Sequence, residues 1–255
     1  MRVVAYYALH YGTEYLPWSI RSIEPFVDEI RVLYTPIPSF GHGTSVRCPE
    51  TQEQLWEAAR RFLIDDAKLV WRSGLWTGEG AHRDAAEQGL RDTDTLLLHV
   101  DADEVWVPEA LRALLAFVAR GHTGPPHRSW RVPFVHFFRS FGWACTDALM
   151  PERIVDLRPG CEKGWGHFRD MAPVLHFGYA QSEAIVRYKW CCHGHQTELR
   201  RGWLERFKNW QPGQDDMHPT NELGFWNPRP TALPLIDAVR ELMHDHPYRD
   251  FDVIP

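Results

Sequence analysis

Two aspartates separated by one residue follow an apolar run in this sequence. Asp101 and Asp103 lie in HVDADEVW (residues 99–106), directly after TLLLHV at 95–100. The run predicts a buried strand, and ligands bind at the carboxyl ends of strands in an open α/β sheet. Mg²⁺ and Mn²⁺ take oxygen ligands and share them with substrate phosphates. The spacing indicates a metal and phosphate site, with a solvated acidic turn as the alternative.

The elements that must position these aspartates alternate along the first hundred residues. Hydrophobic patterns predict strands at 2–9, 29–34, 68–71 and 95–100, and helices from Glu14 to 23, at 51–63 and at 80–90. Thr13 is expected to cap the first helix, and Thr51 with Gln54 resembles a capping box for the second. The alternation predicts an α/β protein with a doubly wound, mostly parallel sheet.

The pattern changes after the aspartates. We expect a helix at 108–119, a Gly/Pro loop at 121–127, strands at 130–141 and 153–157, and a loop at 160–170. Helices are predicted at 182–189, 202–210 and 233–243. The Gly/Pro loop suggests a division into residues 1–120 and a smaller C-terminal lobe at 121–255.

Charge and cysteine usage argue against several classes of protein. The formal net charge of −6 gives no global attraction to nucleic acid or anionic membranes, although residues 127–210 hold 13 basic and 8 acidic side chains. The five cysteines form no CxxC pair, which favours a reducing compartment. No stretch approaches the length of a membrane helix. We therefore expect a cytoplasmic protein without stable membrane insertion.

Three segments carry a resemblance to a known family. GTEYLPWSIRSI (12–23), GAHRDAAEQGL (80–90) and the Asp101–Asp103 pair make residues 6–106 similar to the nucleotide-sugar-binding half of family 2-like glycosyltransferases with the GT-A fold. A looser likeness continues in VLHFGYAQSEAIVRYK (174–189). Two positions depart from the family pattern: Tyr34-Thr35-Pro36 replaces the Asp after the second strand, and Asp84 replaces the Asn beside the helix arginine.

The resemblance implies transfer of a sugar from a nucleotide-sugar donor, expected to be a UDP-sugar, to an acceptor hydroxyl. It implies Mn²⁺ or Mg²⁺ as cofactor, with Asp101, Asp103 and His176 as the metal ligands. The residues expected to contact the donor are Ala8, Tyr11, Glu14, Thr35, Arg83, Asp84 and Asp101. Residues 1–120 would form the nucleotide-sugar-binding half, and residues 121–255 the acceptor-binding half and lobe.

Three candidate site residues, Arg83, His176 and Glu152, have a structural alternative. Arg83 can pair with a diphosphate, or be a surface charge on its helix. His176 can be a metal ligand or a satisfied core histidine. An inverting transferase needs a carboxylate to take the acceptor proton, and Asp147 and Glu152 are the two candidates. Glu152 could instead pair with Arg153 or another neighbour as part of the structure.

Arginine and tryptophan alternate through the basic segment and suggest an acceptor surface. The acceptor could be a glycan, a small molecule or a modified DNA base. Two other functions stay open from the residues. One is a metal-dependent nucleotidyltransferase or hydrolase on the same frame, and the other is a non-catalytic protein that binds sugar or nucleic acid.

Overall fold

The computed structural model describes residues 1–38, 43–120, 127–146, 150–169, 171–192, 194, 196–220 and 226–247. The chain divides into two compact units. The first contains Met1–Phe40, Glu50–Pro133 and Leu149–Val174, and the second contains Gly41–Pro49, Phe134–Ala148 and Leu175–Pro255.

The strands and α-helices follow one another in this order: β1 (Arg2–Leu9), α1 (Leu16–Ile23), β2 (Glu29–Tyr34), α2 (Gln52–Arg60), β3 (Leu69–Ser73), α3 (Glu79–Glu87), β4 (Thr95–His99), β5 (Glu104–Val105), α4 (Pro108–Ala119), β6 (His127–Arg131), β7 (Phe134–Phe138), β8 (Ser140–Thr146), β9 (Glu152–Asp156), β10 (Glu162–His167), β11 (Val174–Tyr179), α5 (Glu183–Cys191), α6 (Trp203–Lys208), β12 (Arg229–Pro230) and α7 (Leu233–Leu242).

Seven strands of the first unit form one sheet in the order β10-β6-β9-β4-β1-β2-β3. β3, β2, β1 and β4 run parallel, β9 runs antiparallel to both β4 and β6, and β10 is parallel to β6. The predicted α/β fold class with a mostly parallel sheet is confirmed.

Successive side chains of a strand point to opposite faces of the sheet, and helices cover the apolar side chains on both faces. Tyr7 of β1 points to α1, where its hydroxyl lies 3.0 Å from Ser19 Oγ. Tyr6 points to the opposite face and joins Leu33, Leu97 and Ala86 of α3 in a buried cluster. The sheet is therefore doubly wound, as the alternation of elements predicts.

The antiparallel β9 brings later residues to the carboxyl edge of the parallel strands. Leu98 of β4 pairs with Ile154 of β9, so Glu152, at the start of β9, lies beyond the end of β4. Arg131, the last residue of β6, pairs with Glu152 in turn. Two strands from after residue 120 thus place side chains beside the Asp101 turn.

Most predicted elements of the first half are confirmed within a few residues, including the capping box of Thr51 and Gln54. The prediction for Thr13 is wrong, since α1 begins at Leu16 after Tyr15 with no side-chain cap. The Thr13 hydroxyl and backbone N–H bind the Glu50 carboxylate instead. The Thr13 side chain is therefore bound by Glu50, which is distant in sequence, and does not cap α1.

Two predictions in the second half are wrong. The single strand expected at 130–141 is three strands, because Pro133 interrupts the ladder and Arg139 turns the chain with a φ of 62°. The loop expected at 160–170 contains β10, which pairs with β6 at the edge of the sheet. Glycine at 164 and 166 imitates a loop pattern, yet Gly166 is needed because Trp130 lies where a Cβ would be.

The second unit packs its helices on a small sheet in which β8 runs antiparallel to both β7 and β12. Within it, neighbouring strands follow the order β12-β8-β7-β11. Its core is strongly aromatic, with Phe138, Tyr179, Trp203, Phe207, Trp210 and Trp226 buried together. In the part of the chain that the structure describes, no helix is long and apolar enough to span a membrane.

Candidate functional site

The aspartate pair lies where β4 ends, as predicted. The Asp101 side chain is 42% exposed, whereas Asp103 is 8% exposed and Glu104 is fully buried. Glu104 N–H donates to Asp101 O at 3.1 Å and closes the turn, and the Ser19 hydroxyl donates to the same carbonyl at 3.3 Å. The first carboxylate therefore meets solvent at the sheet edge, and the second is mostly covered.

The first turn of the chain presses directly on this aspartate turn. Gly12 has a φ of 138°, and a Cβ at this position would lie 2.5 Å from the Ala102 Cβ. A backbone of this kind strongly favours glycine. Glu50 fixes the turn from the other side by accepting hydrogen bonds from Gly12 N–H (2.6 Å) and Thr13 N–H (3.0 Å). Small residues at 12 and 102 let the two turns touch.

The turn at residues 101–104, called here the acidic turn, is held by Arg153 of β9. Its Nη2 donates to Asp101 Oδ2 at 2.7 Å, and its Nε donates to both Glu104 carboxylate oxygens at 3.0 Å. Nη1 donates to the Glu152 carbonyl at 2.9 Å. The guanidinium thus holds one orientation of Asp101 and compensates the charge of buried Glu104.

Burial alone would lower the pKa of Arg153. The carboxylates of Glu104 and Asp101 outweigh burial and hold that pKa above its ordinary value. A guanidinium is charged at all physiological pH values in any case. A permanent positive charge therefore lies inside a cluster of three acids, which reduces their mutual repulsion.

The sequence suggests Arg153 only as a possible partner of Glu152. The signal for its actual partner is weak but present in HVDADEVW, where Glu104 lies between Asp103 and an apolar Val-Trp pair. A carboxylate buried at that point requires a cationic partner. The identity of the partner depends on the antiparallel pairing of β9 with β4, and sequence periodicity does not reveal which strands pair.

His99, the last residue of β4, lies beneath Asp101. Burial lowers the pKa of His99 to about 4, although the Asp101 carboxylate opposes this shift. The imidazole is therefore neutral at pH 7, and its 3.6 Å approach to Asp101 is not an ion pair. Tyr6 stacks on the ring at a centroid distance of 5.1 Å, and burial raises the pKa of the Tyr6 phenol.

Arg83 and Glu152, two predicted site residues, are brought together. Arg83 Nη1 lies 3.7 Å from Glu152 Oε1, and both side chains are partly exposed. They line a cavity of about 300 Å³ with Glu87, Ser129, Val155, Gly164 and Trp165. The neighbour of Arg83, His82, faces inward, donating to Leu33 O at 2.8 Å and stacking on Trp76.

The remaining expected donor contacts occupy varied environments. Ala8 is exposed near the end of β1, whereas Tyr11 and Glu14 are half-buried in the turn that follows. Thr35 is buried, and its hydroxyl donates to Ile37 O at 2.7 Å. Asp84 lies on the exposed side of α3, where it accepts from Arg91 at 2.6 Å. Donor contact by these residues stays a prediction.

Two expected residues fall outside this part of the molecule. His176 belongs to the second unit, where its Nδ1 lies 2.8 Å from His136 Nδ1 and its ring lies close to Phe134. Asp147 lies outside the described residues. The metal role of His176 and the catalytic role of Asp147 stay predictions from the sequence.

The acidic turn suits a hard divalent cation that takes only one or two ligands from the protein and keeps water or phosphate as the others. Among the described residues, no group of three or more His, Cys, Asp or Glu side chains converges on one point. Asp101 and Asp103 supply carboxylate oxygens, and Mg²⁺ is commonly bound by one or two carboxylates plus water and substrate phosphates. The donor set therefore fits a cation shared with a phosphate group.

No protein-family model matches this chain, and no curated protein matches its sequence. Several solved structures show a likeness, among them the following three. Residues 1–349 of TarS from S. aureus match with a TM-score of 0.43 and 13% identity over 81% of this chain and 69% of that one. A mycobacterial protein matches with a TM-score of 0.35 and 16% identity over 53% of this chain and 41% of that one.

The third is glucosyl-3-phosphoglycerate synthase from Mycobacterium tuberculosis, solved with Mn²⁺, UDP-glucose and phosphoglyceric acid. It matches with a TM-score of 0.33 and 17% identity, over 54% of this chain and 44% of that one. This chain spans less than half the length of the two mycobacterial proteins. A likeness at these identities concerns the fold alone.

Proposed function

We propose that this protein is a metal-dependent glycosyltransferase that moves a sugar from a nucleotide-sugar donor, a UDP-sugar by preference, to an acceptor hydroxyl. The observation that carries the proposal is the pair Asp101 and Asp103 at the carboxyl end of β4, with Asp101 oriented by Arg153. Ligands of open α/β sheets bind at this edge. Sequence resemblance to family 2-like enzymes supports the same reading.

Asp101 and Asp103 would hold Mn²⁺ or Mg²⁺, which would neutralise charge that develops on a departing diphosphate. Arg153 contributes by fixing the Asp101 carboxylate, since its Nη2 bond leaves that side chain little rotational freedom. The buried Glu104 keeps the guanidinium in place from behind. Together these side chains preorganise the turn before any ligand arrives.

Glu152 is the described carboxylate that could take the acceptor proton. It lies at the start of β9, on the sheet edge where β4 ends, and it lines an open cavity with Arg83. An ionised carboxylate within hydrogen-bond reach of a hydroxyl can act as a general base. Arg83 would meet the donor diphosphate or hold the Glu152 carboxylate in position. Asp147 remains the second candidate base.

A thermal-shift screen tests nucleotide and metal dependence together. UDP, ADP and GDP are compared with and without Mn²⁺, because a ligand that binds the folded state raises the melting temperature. We expect the largest rise for UDP with Mn²⁺, and a much smaller rise for UDP alone. Equal shifts for all nucleotides, independent of Mn²⁺, would contradict the proposal.

Asp103→Asn keeps the size of the side chain and removes its charge, so it should lose the Mn²⁺-dependent part of the UDP shift. Asp66→Asn is the matched control. Asp66 lies at the amino end of β3, whereas Asp103 follows the carboxyl end of β4, and Asp66 pairs with Arg60 on the surface. Its UDP and Mn²⁺ response should equal that of the wild type.

A further inference from the structure

An exposed tryptophan beside Glu152 forms the wall of a cavity. Trp165 of β10 is 53% exposed, although burying an aromatic ring of this size is strongly favourable. It lines the 300 Å³ cavity whose other walls are Arg83 and Glu87 of α3, Glu152 and Val155 of β9, and Ser129 of β6. An exposed ring in a concave, polar-walled site points to a ligand.

The backbone of β10 forces this ring towards the cavity. Gly166 packs against Trp130, so close that a Cβ would lie 2.3 Å from the indole ring. Residues 165 and 167 therefore project from the opposite face of the strand, because side chains alternate. Ser129, whose hydroxyl donates to Gly164 O at 3.3 Å, ties β10 to β6 below the ring.

Neighbouring side chains hold the indole in place. The Arg131 guanidinium lies 4.5 Å from the ring centroid of Trp165. His167 contacts the same ring edge-on at a centroid distance of 5.4 Å. A cation over an aromatic face is attractive, so the ring is an ordered platform.

The charges on the cavity walls do not favour an anionic ligand. The lining residues include two acids, Glu152 and Glu87, and one cation, Arg83. Arg83 lies 3.7 Å from Glu152, and Glu87 accepts from Arg91 at 2.7 Å. Each carboxylate is paired with an arginine, so the walls offer a phosphate or a nucleic acid strand no excess of positive charge. Hydroxyl groups, by contrast, can donate to a carboxylate and accept from a guanidinium.

We propose that this cavity is the subsite for a neutral sugar ring of the acceptor, which stacks on Trp165 and donates a hydroxyl hydrogen bond to Glu152. The inference rests on the proposed function and narrows its acceptor from a glycan, a small molecule or a modified DNA base to a neutral glycan. The cavity volume is at the lower end of ligand pockets, which span roughly 300–1,000 Å³, so it suits one or two rings.

The test is direct binding of the wild-type chain to an array of neutral oligosaccharides, followed by titration with the strongest binder. Trp165→Ala should weaken that binding by about tenfold or more, the scale for losing an aromatic stacking partner. Trp165→Phe should retain much of the affinity. Trp56→Ala is the matched control, because Trp56 is the other tryptophan with a large exposed fraction in the part of the chain that the structure describes.

The UDP and Mn²⁺ thermal shift is measured on every variant and should be unchanged in Trp165→Ala. Binding of a neutral glycan that is equally strong in Trp165→Ala would overturn the inference, and so would an array without any neutral binder. Tighter binding of single-stranded DNA than of any glycan, lost in Trp165→Ala, would also overturn it. A wild type that binds glycan but ignores UDP would contradict the proposed function and leave the sugar subsite standing.

Discussion

The side chains of Asp101 and Glu104 are held by ion pairs with Arg153, which the spacing of the aspartates does not predict. The motif predicts Asp101 and Asp103 at the end of a strand, and this placement agrees with the structure. The motif says nothing of Arg153, because the guanidinium arrives from a strand fifty residues later. Its three acidic and carbonyl partners make Arg153 the residue on which the geometry of the turn depends.

Replacing Arg153 with Met should therefore destabilise the fold strongly. The change leaves buried Glu104 without its cation, and breaking a buried ion pair from one side costs about 3–5 kcal/mol. The free energy of unfolding from urea titration measures the effect. A double variant, Arg153→Met with Glu104→Gln, should recover part of the loss. A single variant within about 0.5 kcal/mol of the wild type would show that the pair contributes little.

His82 makes stability sensitive to mild acid. Burial lowers the pKa of His82 below its ordinary value of 6.5, although its hydrogen bond to Leu33 O opposes the shift. The unfolded chain therefore binds the proton more readily than the folded chain. The contribution of His82 to stability is fully present above pH 6.5 and is lost as the pH falls below that value.

His82→Phe keeps an aromatic ring against Trp76 and removes the titration. Between pH 7 and pH 5, the free energy of unfolding should fall less in this variant than in the wild type. Urea titration at several pH values gives both slopes, and other groups, including His10, contribute equally to each. Parallel slopes for the two proteins would show that His82 is not responsible.

Secondary-structure elements position the site through contacts between turns. The turn after β1 and the turn after β4 meet at Gly12 and Ala102, which explains the small residue between the two aspartates. Sequence patterns locate both turns, yet the contact between them depends on β1 and β4 being neighbours in the sheet. Hydrophobic periodicity predicts each strand well. The order of the strands in the sheet can be predicted only from the resemblance to a known fold.

Gly12→Ala tests the contact between the turns. An added Cβ would lie 2.5 Å from the Ala102 Cβ, and a φ of 138° is unfavourable for alanine. We expect a loss of about 1–3 kcal/mol in the free energy of unfolding and a weaker UDP and Mn²⁺ shift. Gly80→Ala in α3 meets open space and should be neutral or stabilising by about 0.5–1 kcal/mol. Equal effects of the two changes would contradict this account.

The elements that the sequence predicts poorly are those whose pattern is set by distant partners. β10 reads as a glycine-rich loop because Gly166 serves the packing of Trp130 on another strand. The segment 130–141 resembles one strand because most of its residues are apolar or aromatic, and Pro133 and the positive φ of Arg139 divide it. Local propensity cannot show which compact unit each piece joins.

At the scale of the whole molecule, a transferase and a hydrolase on this frame differ in what they require. Both would bind a nucleotide-sugar at the β4 edge, but only a hydrolase would pass the sugar to water. With a UDP-sugar and Mn²⁺, UDP release should be slow alone and should rise when the glycan identified by array binding is added. Coupled detection of UDP measures both rates. Equal release with and without glycan would favour hydrolysis.

In the proposed function, Asp103 and Asp101 together bind a divalent cation that is shared with a nucleoside diphosphate. Electron paramagnetic resonance of Mn²⁺ measures this directly, because the signal of the free aquo ion disappears on binding. In the presence of UDP, wild type and Asp66→Asn should bind Mn²⁺ with the same affinity, and Asp103→Asn should bind it at least about tenfold more weakly. An Mn²⁺ affinity in Asp103→Asn equal to that of the wild type would contradict the account.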